Sequence, residues 1–133
     1  MKFKSILLIE DDHFISELYQ RALKKAGYDV ENVVNGPDGL SKAKSGKYDL
    51  ILLDIMIPDL TGVEVLEELR GKDGNQLPDT RIVITTNLDQ DEHAKRKMEQ
   101  LADGYIIKAD VTPKKLVKLI HQLEEVGSIP DSS

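Results

Sequence analysis

Asp54 is the residue around which chemistry could be built. It closes the apolar run Leu50-Ile51-Leu52-Leu53 and is followed at once by Ile55-Met56-Ile57-Pro58. A carboxylate in that company is costly to desolvate unless something compensates it. Three other apolar runs also end in polar groups. Ile6-Leu7-Leu8-Ile9 leads into Glu10-Asp11-Asp12, Ile82-Val83-Ile84 into Thr85, and Ile106-Ile107 into Lys108. If the four runs are parallel strands, these endings meet at one edge of one sheet. Three or four carboxylates, a hydroxyl and an ammonium would then form a site for a divalent cation and a phosphoryl group.

The residue types favour a hard cation. Carboxylates held a few ångströms apart repel and cannot all stay ionised without compensation. Mg²⁺ takes oxygen ligands, is satisfied by one or two carboxylates, and accepts a phosphate oxygen. The chain has no cysteine, and its three histidines, His13, His93 and His121, are scattered over expected helices and read as surface residues. Taken alone, Glu10-Asp11-Asp12 would be an acidic helix start capped by Asp12. Asp54 shifts the balance, because capping needs no second carboxylate two strands away. Lys108 follows a buried run, so its stem packs while its ammonium reaches the strand edge and Asp54. Thr85 could donate to a phosphate oxygen, whereas Thr86 reads as an ordinary strand residue.

The elements that must position these groups alternate along the chain. Strands are expected near residues 4–10, 28–34, 48–54, 80–86 and 105–108. Asp12 caps a helix running to Ala26, with Phe14, Ile15, Leu18, Ala22, Leu23 and Ala26 as its apolar face and Gly27 as its stop. Asn35-Gly36-Pro37 opens a second helix, with the proline in the first turn where its missing N–H is harmless. A third helix begins near Gly62 and a fourth spans about 89–102. The fifth starts at Thr112-Pro113, with Leu116, Leu119, Ile120 and Leu123 facing inward. The stretch 71–79 reads as a long solvent-exposed loop. The fold class expected is α/β, a doubly wound five-stranded parallel sheet with helices on both faces. In such sheets ligands bind beyond the carboxyl ends of the strands, where the polar endings lie.

Length and composition fit this reading. The 133 residues suffice for one domain, taken as 1–126, followed by a polar tail at 127–133 read as disordered. A net charge of −6 disfavours broad nucleic-acid or anionic-membrane binding, which needs Lys and Arg in excess. No apolar run approaches a membrane span, and a cytoplasmic location is the expectation.

The motifs Ile6-Leu7-Leu8-Ile9-Glu10-Asp11-Asp12, Leu50-Ile51-Leu52-Leu53-Asp54 with Ile55-Met56-Ile57-Pro58-Asp59-Leu60-Thr61-Gly62, Thr85, and Gly104-Tyr105-Ile106-Ile107-Lys108 together resemble the receiver domain of two-component response regulators. The resemblance covers about residues 3–125. It implies a flavodoxin-like sheet of strand order 2-1-3-4-5. It also implies that Asp54 is a phosphoacceptor taking its group from a histidine kinase or phosphotransfer protein. Mg²⁺ would be held by Asp11, Asp54 and the backbone carbonyl of Met56, with Glu10 acting largely through water. Thr85 and Lys108 would hold phosphoryl oxygens, and Thr85 and Tyr105 would switch. The face formed by helix four, strand five and helix five would meet a downstream protein, and a phosphorylation-dependent homodimer is compatible with that. No direct nucleic-acid or membrane partner is implied. The domain would be a signalling switch and not an enzyme, beyond its own phosphotransfer and autodephosphorylation. Nothing in the chain encodes an output domain, so a stand-alone regulator and a piece of a larger regulator or hybrid kinase both stay open.

Three positions depart from the family pattern. Ala109 stands where the family usually has proline, often after a cis bond, and a cis Lys108–Ala109 bond is expected so that Lys108 can reach the site. Thr86 is larger than the family's common choice and would narrow access to Asp54. Met56 and Asn87 sit at positions that tune hydrolysis, and neither can act as a base toward water, so a long-lived phosphate is expected. Two other readings were weighed. A Mg²⁺-dependent aspartyl phosphohydrolase would want an acid at position 56, where methionine stands. A pseudo-receiver interaction module would not need all five site elements.

Overall fold

A computed structural model describes residues 2–71, 74–87 and 92–129, with backbone alone for 92–94. Five strands alternate with five helices: β1 (Ser5–Ile9), α1 (His13–Lys25), β2 (Asp29–Val33), α2 (Gly36–Lys44), β3 (Leu50–Asp54), α3 (Gly62–Arg70), β4 (Arg81–Thr86), α4 (Glu92–Leu101), β5 (Gly104–Ile107) and α5 (Pro113–Val126). All strand pairs are parallel and the order is β2-β1-β3-β4-β5. The expected doubly wound architecture is the one observed.

Strand alternation divides the core in two. Ile6, Leu8, Leu50, Leu52, Val83 and Ile106 point to one face, where Tyr19 and Leu23 of α1 and Leu116, Leu119, Ile120 and Leu123 of α5 cover them. Leu7, Ile9, Ile51, Leu53, Ile82 and Ile84 point to the other, under Ala43 of α2, Val65, Leu66 and Leu69 of α3, and Met98 of α4. Because β1, β3 and β4 are apolar on both sides, they occupy the middle of the sheet. Their register is therefore fixed from both faces, and so is the level at which each strand ends.

Helix starts follow local chemistry. Asp12 accepts from the N–H groups of Phe14 and Ile15, and Asn35 accepts from that of Asp38. Thr61 and Glu64 form a reciprocal capping box at α3. Gly127 closes α5 at a φ of +78°, a left-handed conformation that glycine adopts freely.

Two expectations need correction. The inward face of α1 is Ser16, Tyr19 and Leu23, while Phe14 is 73% exposed and Leu18 and Ala26 are also exposed. The apolar stripe read from the sequence was rotated, because Tyr19, whose ring is as apolar as its neighbours, took the inward position. The connection before β4 is not simply solvated: Leu77 and Thr80 are buried. The Arg70 guanidinium donates to the carbonyls of Leu77, Thr80 and Leu101 and to Asp103, pinning this loop to the one before β5. His121 is exposed on α5, as expected, and sits 3.1 Å from Glu124. In the tail, Ile129 packs on the core near Gly104, and residues 130–133 lie outside the described residues. His93 and the start of the expected fourth helix at 89–91 also fall outside the side chains or residues described. No helix among the described residues is long and apolar enough to cross a membrane.

At the end of the sheet opposite the polar strand endings, Glu124 of α5 accepts from the Phe3 N–H at 2.7 Å and the Tyr28 hydroxyl at 2.5 Å. Burial would raise its pKa, but the hydrogen bonds from Tyr28 and Phe3 and the neighbouring His121 outweigh that and lower it. A depressed carboxyl pKa contributes stability above the unfolded value and loses it as pH falls through the folded one. Glu124→Gln should therefore cost about 2 kcal/mol at pH 7. In urea unfolding, the gap from the parent chain should shrink below pH 4.5 and not widen.

Candidate functional site

Parallel pairing with locked register brings the strand endings to one level. Asp54 lies directly opposite Thr85, and Thr85 opposite Ile106, so Lys108 emerges just beyond β5. Glu10 follows Ile9, whose partner on β3 is Leu53. Glu10, Asp54, Thr85 and Lys108 are all buried, at 1%, 3%, 2% and 7% exposure. Asp11, by contrast, is exposed at the rim.

One oxygen from each of Glu10, Asp11 and Asp54 lies within 4.8 Å of the other two. The Lys108 ammonium donates to Glu10 at 2.5 Å and to Asp54 Oδ2 at 2.9 Å. The other Asp54 oxygen, Oδ1, accepts from the Met56 N–H at 3.0 Å, which sets the Met56 peptide beside the carboxylate. Burial pushes the Glu10 carboxyl up to about 7 against the pull of Lys108. Burial opposes charge on Lys108 too, but its bonds to Glu10 and Asp54 outweigh that and raise its pKa. With every group ionised, three carboxylates against one ammonium leave a formal charge of −2. An all-oxygen donor set with that deficit fits a hard divalent cation.

The loop after β3 is built around close backbone approach. A Cβ on Gly62 would lie 2.4 Å from the Asp54 carbonyl oxygen, so any side chain there would displace the strand end. The Gly62 N–H donates to the Ile55 carbonyl, and the Ile55 N–H to the Thr85 carbonyl. Asp59 turns the loop at a φ of +72°. These contacts hold Asp54 against β4 and explain the Pro58-Asp59-Leu60-Thr61-Gly62 stretch physically.

The expected cis bond is absent: no cis peptide occurs among the described residues. Lys108 instead opens a single 3-10 turn, Lys108–Asp110, and reaches Asp54 from a trans linkage. Four flexible methylenes give the side chain enough reach without a special backbone isomer.

The chain matches the family described as response regulator receiver domain over residues 6–121. It belongs to the response regulator receiver family. Among curated relatives, it is 36% identical over 103 residues to the probable transcriptional regulatory protein SilR of Salmonella typhimurium, covering 77% of this chain and 43% of that protein. It is 32% identical to the uncharacterized transcriptional regulatory protein YkoG of Bacillus subtilis, covering 92% and 52%. This receiver thus spans about half the length of the curated relatives it matches. Among solved structures, a CheY-like receiver domain protein of Methanospirillum hungatei superposes with a TM-score of 0.75 at 30% identity, covering 93% of this chain and 96% of that one. The chemotaxis response regulator CheY4 of Vibrio cholerae gives 0.78 at 26%, covering 92% and 99%. Receivers of this family serve two-component signalling and carry a phosphoacceptor at an acidic pocket. The expectation of no direct nucleic-acid contact gains no support here, since the relatives are named as transcriptional regulators.

Two residues of the receiver's site went unnoticed in the sequence. The Asn32 amide donates to the carbonyls of Leu8, Glu10 and Val33, tying the β2 edge to the acidic ending of β1. A lone amide inside a short strand was the available signal. Tyr19 is 4% exposed and feels the charges of Lys108, Glu10 and Asp54. It gave no signal, because a tyrosine among apolar helix residues reads as core.

Asp11 makes no ion pair among the described residues and lies at the exposed rim of the three-carboxylate cluster. Asp11→Asn should leave metal-free stability within about 0.5 kcal/mol of the parent. The same change should abolish the rise in melting temperature that MgCl₂ gives the parent, a comparison that thermal unfolding with and without the salt makes directly.

Proposed function

We propose that this receiver accepts a phosphoryl group on Asp54 with Mg²⁺ bound at Glu10, Asp11, Asp54 and the Met56 carbonyl. The observation that carries the reading is the Lys108 ammonium 2.9 Å from a buried Asp54 whose carboxylate lies within 4.8 Å of those of Glu10 and Asp11. Asp11 and Asp54 would hold the ion directly and Glu10 largely through water. When bound, the ion supplies positive charge to the equatorial oxygens of the group in transfer. The Asp54 carboxylate attacks phosphorus in line, and the bond to the donor breaks as the new O–P bond forms. Lys108 and Thr85 take the oxygens of the aspartyl phosphate. Lys108 is able to do so because its ammonium already faces Asp54 and only has to leave Glu10.

The donor in this reading is the phosphohistidine of a histidine kinase or phosphotransfer protein. Phe14 at 73% exposure and Leu18 give such a protein an apolar foothold next to the acidic rim. On the far side, Thr85 moving toward the phosphate would pull the end of β4 away from its neighbours. Tyr105 is half-buried on β5 beside Ile84, with the Lys95 ammonium 5.5 Å from its ring. A shift of Thr85 would change the space for that ring and hence the face of α4, β5 and α5 shown to a downstream protein or a second copy. A signalling switch in the cytoplasm, turning over no substrate but its own phosphate, is the function this supports. The phosphohydrolase alternative is disfavoured because Met56, with its side chain 65% exposed, offers no acid two residues after Asp54.

Intact mass after incubation with acetyl phosphate should show one phosphate adduct that needs MgCl₂ and is lost in Asp54→Ala. An adduct that persists in that variant would place the chemistry elsewhere. Asn87 is exposed and borders the same recess as Lys108. Its amide cannot deprotonate water, so the phosphate should decay more slowly in the parent chain than in Asn87→Glu, as followed by loss of adduct with time.

A further inference from the structure

Lys108 poses a problem of positioning that the trans linkage sharpens. Its ammonium must sit between Glu10 and Asp54 at 2.5 and 2.9 Å and later follow a phosphoryl group. The stem that carries it has several rotatable bonds, and the side chain loses rotamer freedom only where walls confine it. The next residue supplies none: Ala109 is exposed and has only a methyl group. A cavity of about 230 Å³ opens beside Lys108 on this side, lined also by Ile15, Tyr19, Asn87 and Ala109. Toward that space Ala109 offers only its methyl group, and Leu18, Val111 and Pro113 complete the wall.

Among the described residues, Tyr19 is the only aromatic ring bordering this cavity. It lies on the inward stripe of α1 with Ser16 and Leu23, so the helix itself fixes its direction. It is 4% exposed, and its hydroxyl makes no hydrogen bond to any described residue. An aromatic residue buried for its ring and not for its hydroxyl is there to fill space. The ring borders the same cavity as Lys108, so it stands beside the phosphoacceptor cluster as well as in the core.

We propose that Tyr19 is a positioning residue for Lys108: its ring walls the cavity left open at Ala109 and confines the lysine stem so that the ammonium faces Asp54. The inference rests on the phosphoacceptor reading and adds to it a residue from α1, an element that otherwise supplies nothing to phosphate binding. It also accounts for how an alanine is accommodated after the lysine.

The test uses the full chain with Tyr19→Leu, which keeps an apolar side chain but removes the ring, and Tyr19→Phe, which restores it. With acetyl phosphate and saturating MgCl₂, Tyr19→Leu should slow adduct formation about tenfold, since a misplaced group costs rate steeply, and Tyr19→Phe should recover the rate to within about twofold. In a Lys108→Ala background, Tyr19→Leu should change the residual rate by less than about twofold, because the two residues act as one unit. Equal slowing in both backgrounds would overturn the proposal and leave Tyr19 a general packing residue. A second readout needs no phosphorylation: the ¹⁵N ammonium resonance of Lys108 should be sharp in the parent and in Tyr19→Phe and broadened by faster exchange in Tyr19→Leu. An unchanged signal in Tyr19→Leu would likewise overturn it. If the parent chain takes no phosphate at all, the functional reading fails by itself, and the ammonium signal still decides the role of Tyr19.

Discussion

The structure depends on one ammonium shared between two carboxylates where little water reaches them. Glu10 and Asp54 are as buried as the leucines before them, and one ammonium, that of Lys108, bridges both. Desolvating charge in this way costs more than any surface ion pair returns. The arrangement is tolerated because it is incomplete. The negative charge left over is what a divalent cation would neutralise, and burial raises the Glu10 pKa.

The rest of the fold serves that cluster by fixing distances. Central strands that are apolar on both faces cannot slip by one residue without turning every side chain to the wrong side. The level of Asp54 against Thr85 is therefore set by the packing of two cores and not by the site itself. The loop after β3 adds a second restraint, since Gly62 lets its backbone lie against the Asp54 carbonyl. Asn32 adds a third from the β2 edge. The end of the sheet away from the site is also tied together, by Glu124 holding Phe3 and Tyr28 and by Arg70 holding three loop carbonyls. The strands are thus fastened at both ends, by backbone contacts at the site and by these polar clips away from it.

In the switch proposed above, a phosphoryl group at Asp54 would act on Thr85, and a shift of β4 would reach β5 through the Ile84–Tyr105 register. Lys95 near the Tyr105 ring brings α4 into the same set of contacts. Small displacements at the site can reach the outer face because a packed sheet deforms between discrete arrangements, not continuously.

Much of this was legible in the chain because the signals were redundant. Apolar runs of strand length alternating with capped helical stretches specify a parallel sheet, and a parallel sheet leaves its polar endings one edge to occupy. Asp54, Glu10, Asp11, Thr85 and Lys108 could be gathered on that reasoning alone. What the sequence could not supply were quantities set by neighbours distant in the chain. Which side of α1 faces inward was decided by the fit of Tyr19 against the sheet, leaving Phe14 outside although it looked like core. Whether Lys108 needs a cis bond was decided by the reach of its stem and the space around it, and a trans bond sufficed. The burial of Leu77 and Thr80 was decided by Arg70, a cation whose partners are all carbonyls or side chains of other loops. Periodicity records which residues avoid water, and so it determines elements and their order. Rotation of a helix, the path of a side chain and the partner of a charge are properties of the assembled surfaces, and only the tertiary structure holds them.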